Sequence, residues 1–147
     1  MIRALNFEAK HYLDMEVEHF LFAGSIQTMP ESFFFRLAGQ PHVHTLCNEE
    51  GTVLMVLGLV SVGVGVGEVF ILPAKGWVYH TIEICRYIKE QLKNGLMFQH
   101  RIQAKCRVDD EKYYRFLEMF GFEREGLIRH FDIQGNDYYL YSIISGG

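Results

Sequence analysis

The sequence predicts a single α+β domain with a mixed, mostly antiparallel sheet flanked by helices. Three observations carry that prediction. Between residues 42 and 72, three apolar, partly β-branched segments follow one another with turn signals between them, as in an antiparallel meander. An amphipathic stretch over 77–94 then leads into a strictly alternating segment over 98–108; a helix in that place makes a crossover to a parallel strand. A short helix and two closing strands complete the order β, α, α, β, β, β, α, β, α, β, β. At 147 residues the chain has the length of one domain, and can bury a core without disulfides or metal.

Each element has a local reason. Residues 2–6 read as a short strand. Asn6 is placed to cap the next helix, with Glu8 in its first turn, where the helix dipole favours an acidic group. Ala9, Tyr12, Leu13, Val17, Phe20 and Leu21 then recur at helical spacing, and Gly24 is the stop. "ESFFFRL", 31–37, reads as a second short helix entered through Pro30 and left at Gly39, although Phe33, Phe34 and Phe35 in a row fit a strand equally well. "HVHTLC" alternates as a strand and is closed by the turn signal "NEEG"; 52–62 and 67–72 are the next two strands. Val78, Ile82, Cys85, Ile88 and Leu92 form the apolar stripe of the helix over 77–94, which Gly95 is expected to close. In 98–108, Phe98, His100, Ile102, Ala104, Cys106 and Val108 face one way, and Gln99, Arg101, Gln103, Lys105 and Arg107 the other. Asp109 or Asp110 caps a helix over 111–120 that Gly121 ends. Strands near 123–132 and 138–145 follow, joined by the hairpin signal "IQGND".

Composition narrows the function. The chain is 49% hydrophobic and 14% aromatic, hence globular, and its net charge of −4 argues against a nucleic-acid surface. Three cysteines without CxxC spacing read as reduced thiols in a cytosol-like compartment. The first twenty residues carry charges throughout and show no signal peptide, and the longest apolar run, 53–66, is too short for a bilayer. A cytoplasmic protein with neither membrane nor nucleic-acid partner is the expectation.

"GVGVG", with Gly63, Gly65 and Gly67 in alternation, invites a phosphate-loop reading. Such a loop works because amides at a helix N-terminus point at the anion, so it must join a strand to a helix. These glycines lie between two strand-like segments and fit a hairpin or a bulged strand. The strand-to-helix junction is the next segment, "LPAKGWVYH": a phosphate here would meet the amides around Gly76 to Tyr79, with Lys75 as a cation.

The element order, "VFILP" before the long helix, and "DDEKYYRFLEMFGFEREG" near the end resemble the GNAT superfamily of acetyl-CoA-dependent N-acetyltransferases. The second segment is similar to the family helix N-x-x-A-x-x-F-Y-x-x-x-G-F, with Arg115-Phe116 and Gly121-Phe122 in register. The resemblance covers the chain from about Val43 onward and implies a V-shaped opening near Leu72 that takes acetyl-CoA. Leu72, Lys75, Gly76, Trp77, Val78 and Tyr79 are then the implied cofactor-binding residues. The family's loop reads R/Q-x-x-G-x-G. Aligned on Pro73 its positions hold Gly76, Tyr79 and Thr81; aligned on Lys75, Val78 and His80 stand on the glycines. Either way both glycines are replaced, and a Cβ there obstructs a pyrophosphate. Leu117 stands at the family's tyrosine general acid and cannot protonate a thiolate. Asp110 stands at a cofactor-contacting asparagine. A narrower similarity is to small acetyltransferase-like proteins associated with the virions of short-tailed phages. They share the leucine, a poor glycine loop and a tail ending in Gly-Gly, as Gly146-Gly147 does here.

Under this resemblance an amine attacks the thioester carbonyl, an amide near Ile71 or Leu72 holds the oxyanion, and Glu68 on the same strand is the candidate base. Tyr114, or Tyr113 beside it, is the candidate substitute for the missing acid. Glu68 also reads as a solvated strand-start carboxylate and the tyrosines as packing residues with wet hydroxyls. His42 and His44 share a strand face, but no third ligand completes a metal site, so none is expected. His80 and His100 could meet across the crossover, which sequence does not show; Cys85 and Cys106 fall on buried faces. The polar face Gln99, Arg101, Gln103, Lys105, Arg107 reads either as a cleft or docking surface for an acidic ligand or as a solvated strand face.

Two functions follow. The first is a GNAT-fold protein that has lost or nearly lost acetyl transfer and serves as a binding or assembly component of a phage particle, located in the virion or host cytoplasm. The second is an active N-acyltransferase with a divergent loop. The partner is another protein in the first case, with oligomers possible through the Phe33–Phe35 cluster, and a small-molecule amine in the second.

Overall fold

The computed structural model describes residues 1–14, 37–38 and 40–146. Among these residues seven strands and three α-helices are seen: β1 Arg3–Asn6, α1 Ala9–Asp14, β2 Val43–Cys47, β3 Val53–Gly63, β4 Val66–Pro73, α2 Thr81–Phe98, β5 Arg101–Arg107, α3 Glu111–Met119, β6 Glu123–Ile128 and β7 Tyr138–Ile144. A 3-10 turn, Trp77–His80, leads into α2. The expected continuation of the first helix to Gly24, the second helix before Leu37 and the Phe33–Phe35 cluster lie outside the described residues.

The sheet runs β1-β2-β3-β4-β5-β7-β6, and every pairing is antiparallel except β4 with β5. That parallel pairing is brief: Val66, Gly67 and Glu68 oppose Arg101, Ile102 and Gln103. Beyond it β4 continues against β3 and β5 against β7, so the two strands part and the expected opening forms between them.

α2 and α3 cover one face of the sheet. Ile84, Ile88 and Leu92 of α2 join Leu57, Ile71 and Ile102 of the strands in one core, which Tyr113, Phe116 and Leu117 of α3 complete. The other face holds a smaller cluster of Phe7, Leu37, Val43, Val56 and Leu72. β5 separates the two environments as its alternation predicts: Ile102, Ala104 and Cys106 are fully buried, while the residues between them are half-buried.

Five details differ from expectation. The stripe of α2 is Ile84, Ile88 and Leu92, whereas Val78 and Ile82 are 53% and 74% exposed. Ile88 and Leu92 stand where expected; Val78 belongs to the 3-10 turn, and Ile82 lies about 120° round the helix from Ile88, so Ile84 takes its place. Gly95 does not end α2; it lies in the last turn, where its missing side chain leaves room for Leu59 and Ile102, and its carbonyl accepts the Gln99 amide that closes the helix. β5 consequently begins at Arg101, and Phe98 is an exposed helical residue. The helix-start expectation for Asn6 and Glu8 is also corrected: Asn6 pairs in β1, and Glu8 precedes the helix, its amide donating to His11 Nδ1 at 3.0 Å. In the last hairpin β6 stops at Ile128, not near 132, because Asp132 accepts the amides of Gln134 and Asn136 at 3.0 and 2.9 Å and builds a side-chain-closed loop. The Asp110 cap is seen, its carboxylate accepting from the Tyr113 amide at 3.3 Å.

"GVGVG" is the β3–β4 hairpin. Gly63 pairs with Val66, and Val64-Gly65 form the turn. Gly65 adopts φ +74°, and its carbonyl accepts the amides of His100 and Arg101 at 2.9 and 3.2 Å. The hairpin thereby fixes where the crossover returns to the sheet.

Candidate functional site

The opening between β4 and β5 is the place to test for a cofactor. The ladder fixes which amides face it. Ala74 N–H donates to Leu54 O at 2.9 Å, so by alternation Leu72 N–H also turns toward β3, and Ile71 N–H turns toward the opening. Pro73, which has no N–H, occupies a position where the ladder requires none. Of the two amides expected to hold an oxyanion, Ile71 is therefore the one that faces the opening; the Leu72 side chain is buried in the smaller core.

The junction after β4 is spent on itself. Gly76 takes φ +93°. Trp77 N–H donates to Ala74 O at 3.3 Å and Tyr79 N–H to Gly76 O at 3.2 Å, while Thr81 Oγ1 donates to Val78 O at 2.7 Å. Trp77 is buried and meets Phe116 edge-to-face at 6.1 Å, docking the start of α2 onto α3. Lys75 lies on the surface, and Val78 and Tyr79 project outward, Tyr79 at 87% exposure.

The first turn of α2 carries its own anion. Glu83 accepts the Ile2 amide at 3.0 Å, and its carboxylate lies 3.7 Å from both the terminal ammonium of Met1 and His80 Nδ1. The Ile2 hydrogen bond, helped by the nearby positive groups, holds Glu83 below the usual carboxylate range. A phosphate at this helix end would meet a carboxylate already seated there.

Protein side chains also occupy the inner end of the opening. Tyr113 and Leu117 are 2% and 1% exposed and pack with Ile71, Ala104 and Cys106 of the two separating strands. Burial pushes the Tyr113 hydroxyl well above the usual tyrosine range, and Cys106, Asp110 and Glu68 push the same way. At this end of the sheet the Trp77 and Tyr79 amides are bonded within the turn, Glu83 sits in the first turn of α2, and the Leu117 side chain is buried beside Ile71.

The candidate base and acid are not brought together. Glu68 faces the side of the sheet away from α2 and α3, accepting from Gln103 Nε2 at 2.8 Å and lying 3.3 Å from Lys105 Nζ. Tyr114 is on the helical side, its ring 5.9 Å from that of Tyr139, with the Arg124 guanidinium 5.1 Å from its centre.

Glu68 belongs to a row of ion pairs along the polar face of β5. Arg101 makes a two-bonded pair with Glu125 at 2.7 and 2.8 Å, and Arg107 pairs with Asp109 at 2.8 Å. Hydrogen bonds from Arg101 and then Ser142 hold the Glu125 carboxyl at about 2. The cations that sequence offers to an acidic ligand are thus each engaged by a carboxylate of the chain. Glu125 and Glu83 were missed by sequence reasoning. Glu125 reaches Arg101 across β7, a proximity no local pattern shows, whereas an acidic residue in the first helical turn is a readable sign for Glu83. His80 meets Glu83 and not His100, whose ring stands over Gly65. Cys106 is buried and Cys85 half-buried. Among the described residues no three His, Cys, Asp or Glu side chains converge as metal ligands, and no helix is long and apolar enough to cross a membrane.

No family model matches the chain, and no curated protein sequence matches it. Solved structures do. A GNAT-family acetyltransferase from Bacillus anthracis is 18% identical with a TM-score of 0.70, over 99% of this chain and 96% of that one. The ribosomal-protein-S18-alanine N-acetyltransferase of Escherichia coli is 12% identical with a TM-score of 0.72, over 100% and 96%. Ard1 from Thermoplasma volcanium is 9% identical with a TM-score of 0.76, over 99% of each chain. At such identities the likeness is one of architecture, and it agrees with the strand order and the parted β4 and β5 described above: the chain has the fold of the GNAT acetyltransferases.

Proposed function

We propose that this chain is a GNAT-fold protein with a degenerate acetyl-CoA site, which serves as a binding or assembly component and transfers acetyl groups weakly or not at all. The observation that carries the reading is the start of α2. There the amides of Trp77 and Tyr79 are bonded within the turn, and Glu83 holds the place an anion would take. What the junction offers outward is apolar: Val78, Tyr79 and Ile82 are exposed at the mouth of the opening. An exposed apolar group of this kind supports a protein partner better than a charged cofactor. The finer assignment to a phage particle rests on the resemblance at Leu117 and the loop.

Calorimetric titration of the protein with acetyl-CoA and with CoA tests the first part. The expected result is no binding tighter than roughly 100 μM, about −5.5 kcal/mol. Tighter binding would overturn the degenerate site and leave the active N-acyltransferase acting on a small-molecule amine. For the assembly role, the protein is expected to sediment with virions of a phage that encodes it; recovery only as a free monomer refutes that role.

A further inference from the structure

On the sheet face covered by α2, away from the opening, the C-terminal half of the helix arches over β2, β3 and β4 and leaves a cavity of about 90 Å³. A single water needs roughly 10–15 Å³ on this scale, so the space holds a small ring. Its walls are apolar, chiefly Leu57, Leu59, Val69 and Ile71. No lysine, arginine or carboxylate lines it among the described residues. Its polar lining is His42, His44, Gln91, Asn94 and Gln99, and two of these offer an acceptor. One is Gln99, whose Oε1 is buried without a hydrogen-bond partner. The other is His44, whose Nδ1 shares a hydrogen bond of 2.8 Å with the Tyr87 hydroxyl, leaving Nε2 for another partner. Burial, and next His42, holds His44 below its usual range, so the imidazole is neutral at pH 7.

A buried acceptor left unpaired costs free energy comparable to a lost hydrogen bond, and the site relieves that cost by taking a donor. An ion would lose its hydration without meeting an opposite charge. We propose that this cavity binds a small, uncharged aromatic alcohol of about one ring, whose hydroxyl donates to Gln99 Oε1 while the ring packs on Leu57, Leu59, Val69 and Ile71. His44 Nε2 can meet the same hydroxyl in either tautomer, because a hydroxyl both donates and accepts. The cavity shares Ile71 with the opening but no residue of the Lys75–Tyr79 junction, so a probe can report on the two places separately.

The test is titration of the isotopically labelled protein with phenol, followed by amide and side-chain NH₂ shifts. Saturable shifts at Gly58, Gly95 and the Gln99 side chain are expected, with the Lys75–Tyr79 amides unmoved. Toluene, which lacks the hydroxyl, and the Gln99→Leu variant with phenol should each bind about fivefold more weakly. Val69→Phe, which fills the cavity, should abolish the shifts in a protein whose spectrum otherwise remains folded. The proposal fails if no saturable shift arises at the cavity, if shifts centre on the Lys75–Tyr79 junction, or if phenol binds Gln99→Leu as tightly as the parent. Should Val69→Phe not fold, the Gln99→Leu comparison decides alone.

Discussion

Replacing Glu125 with glutamine tests whether the polar face of β5 is a closed set of ion pairs or a surface with cations to spare. Glu125 accepts both guanidinium nitrogens of Arg101, at 2.7 and 2.8 Å, and the Ser142 hydroxyl. These bonds hold its carboxyl at about 2, against an ordinary value of 4.5. A depression of that size corresponds to roughly 3 kcal/mol if nothing diluted it. The Glu125 side chain is 37% exposed, however, so water and counter-ions screen the pair, and about 1 kcal/mol is the expected contribution. The sign follows from the direction of the shift. A folded-state value below the unfolded one gives stability that is complete above about 4.5 and is lost as pH falls toward 2. Glu125→Gln should therefore be about 1 kcal/mol less stable than the parent at pH 7, with the difference shrinking through pH 4 and vanishing near pH 2. Urea unfolding followed by the fluorescence of Trp77, the chain's single tryptophan, measures this. With slopes of about 1–3 kcal/mol per molar, the midpoint should move by roughly 0.3–1 M at pH 7. A midpoint that does not move, or moves equally at pH 7 and pH 3, would show that Arg101 is solvated and free to meet an acidic ligand.

Two further substitutions probe the parts that frame the opening. Gly65→Ala forces a side chain into φ +74° against the His100 ring, which stands 2.3 Å from where its Cβ would lie. A loss of about 1–2 kcal/mol is expected by chemical denaturation, mostly backbone strain, since the exposed ring can swing aside; adding His100→Ala should recover only a small part. Trp77→Ala removes the wedge against Phe116 and should cost about 3–5 kcal/mol, read by circular dichroism, without creating affinity for acetyl-CoA.

Much of the fold was legible because its signals are local. The meander, the crossover and the alternation of Ile102, Ala104 and Cys106 depend on periods of two and 3.6 that the chain keeps. A cap at Asp109 or Asp110 and a hairpin or bulge in the glycine stretch were readable from residue type; the structure selects Asp110 and a turn at Gly65. What was not readable depends on distance or on phase. The start of the α2 stripe was misplaced: Val78 falls in a 3-10 turn that leaves no mark in the hydrophobic pattern, and Ile82 is off the face that Ile88 and Leu92 share. Glu68 and Tyr114 looked like a base and an acid because each sits near the right strand or helix. Their sides of the sheet, opposite as it turns out, follow from packing that no short window contains. The absent loop glycines were visible in sequence, but the use made of their replacements was not.

That use bears on how the site is to be understood. A phosphate cradle keeps amides unpaired until the ligand arrives, and holding buried donors in reserve costs stability. Here two of the junction's donors are already paired. Trp77 and Tyr79 N–H close the turn, Thr81 bonds back to Val78, Trp77 locks onto Phe116, and Glu83 ties the start of β1 to the first turn of α2. These contacts hold this end of the sheet together without a ligand's help. Restoring glycines at Tyr79 and Thr81 alone is therefore insufficient to recover a cradle. The Thr81→Val78 bond would go, but Tyr79 N–H would still close the turn on Gly76, and Glu83 would still oppose an incoming phosphate. On the proposed reading, the obstacle is a set of bonds already made, not just two side chains in the way.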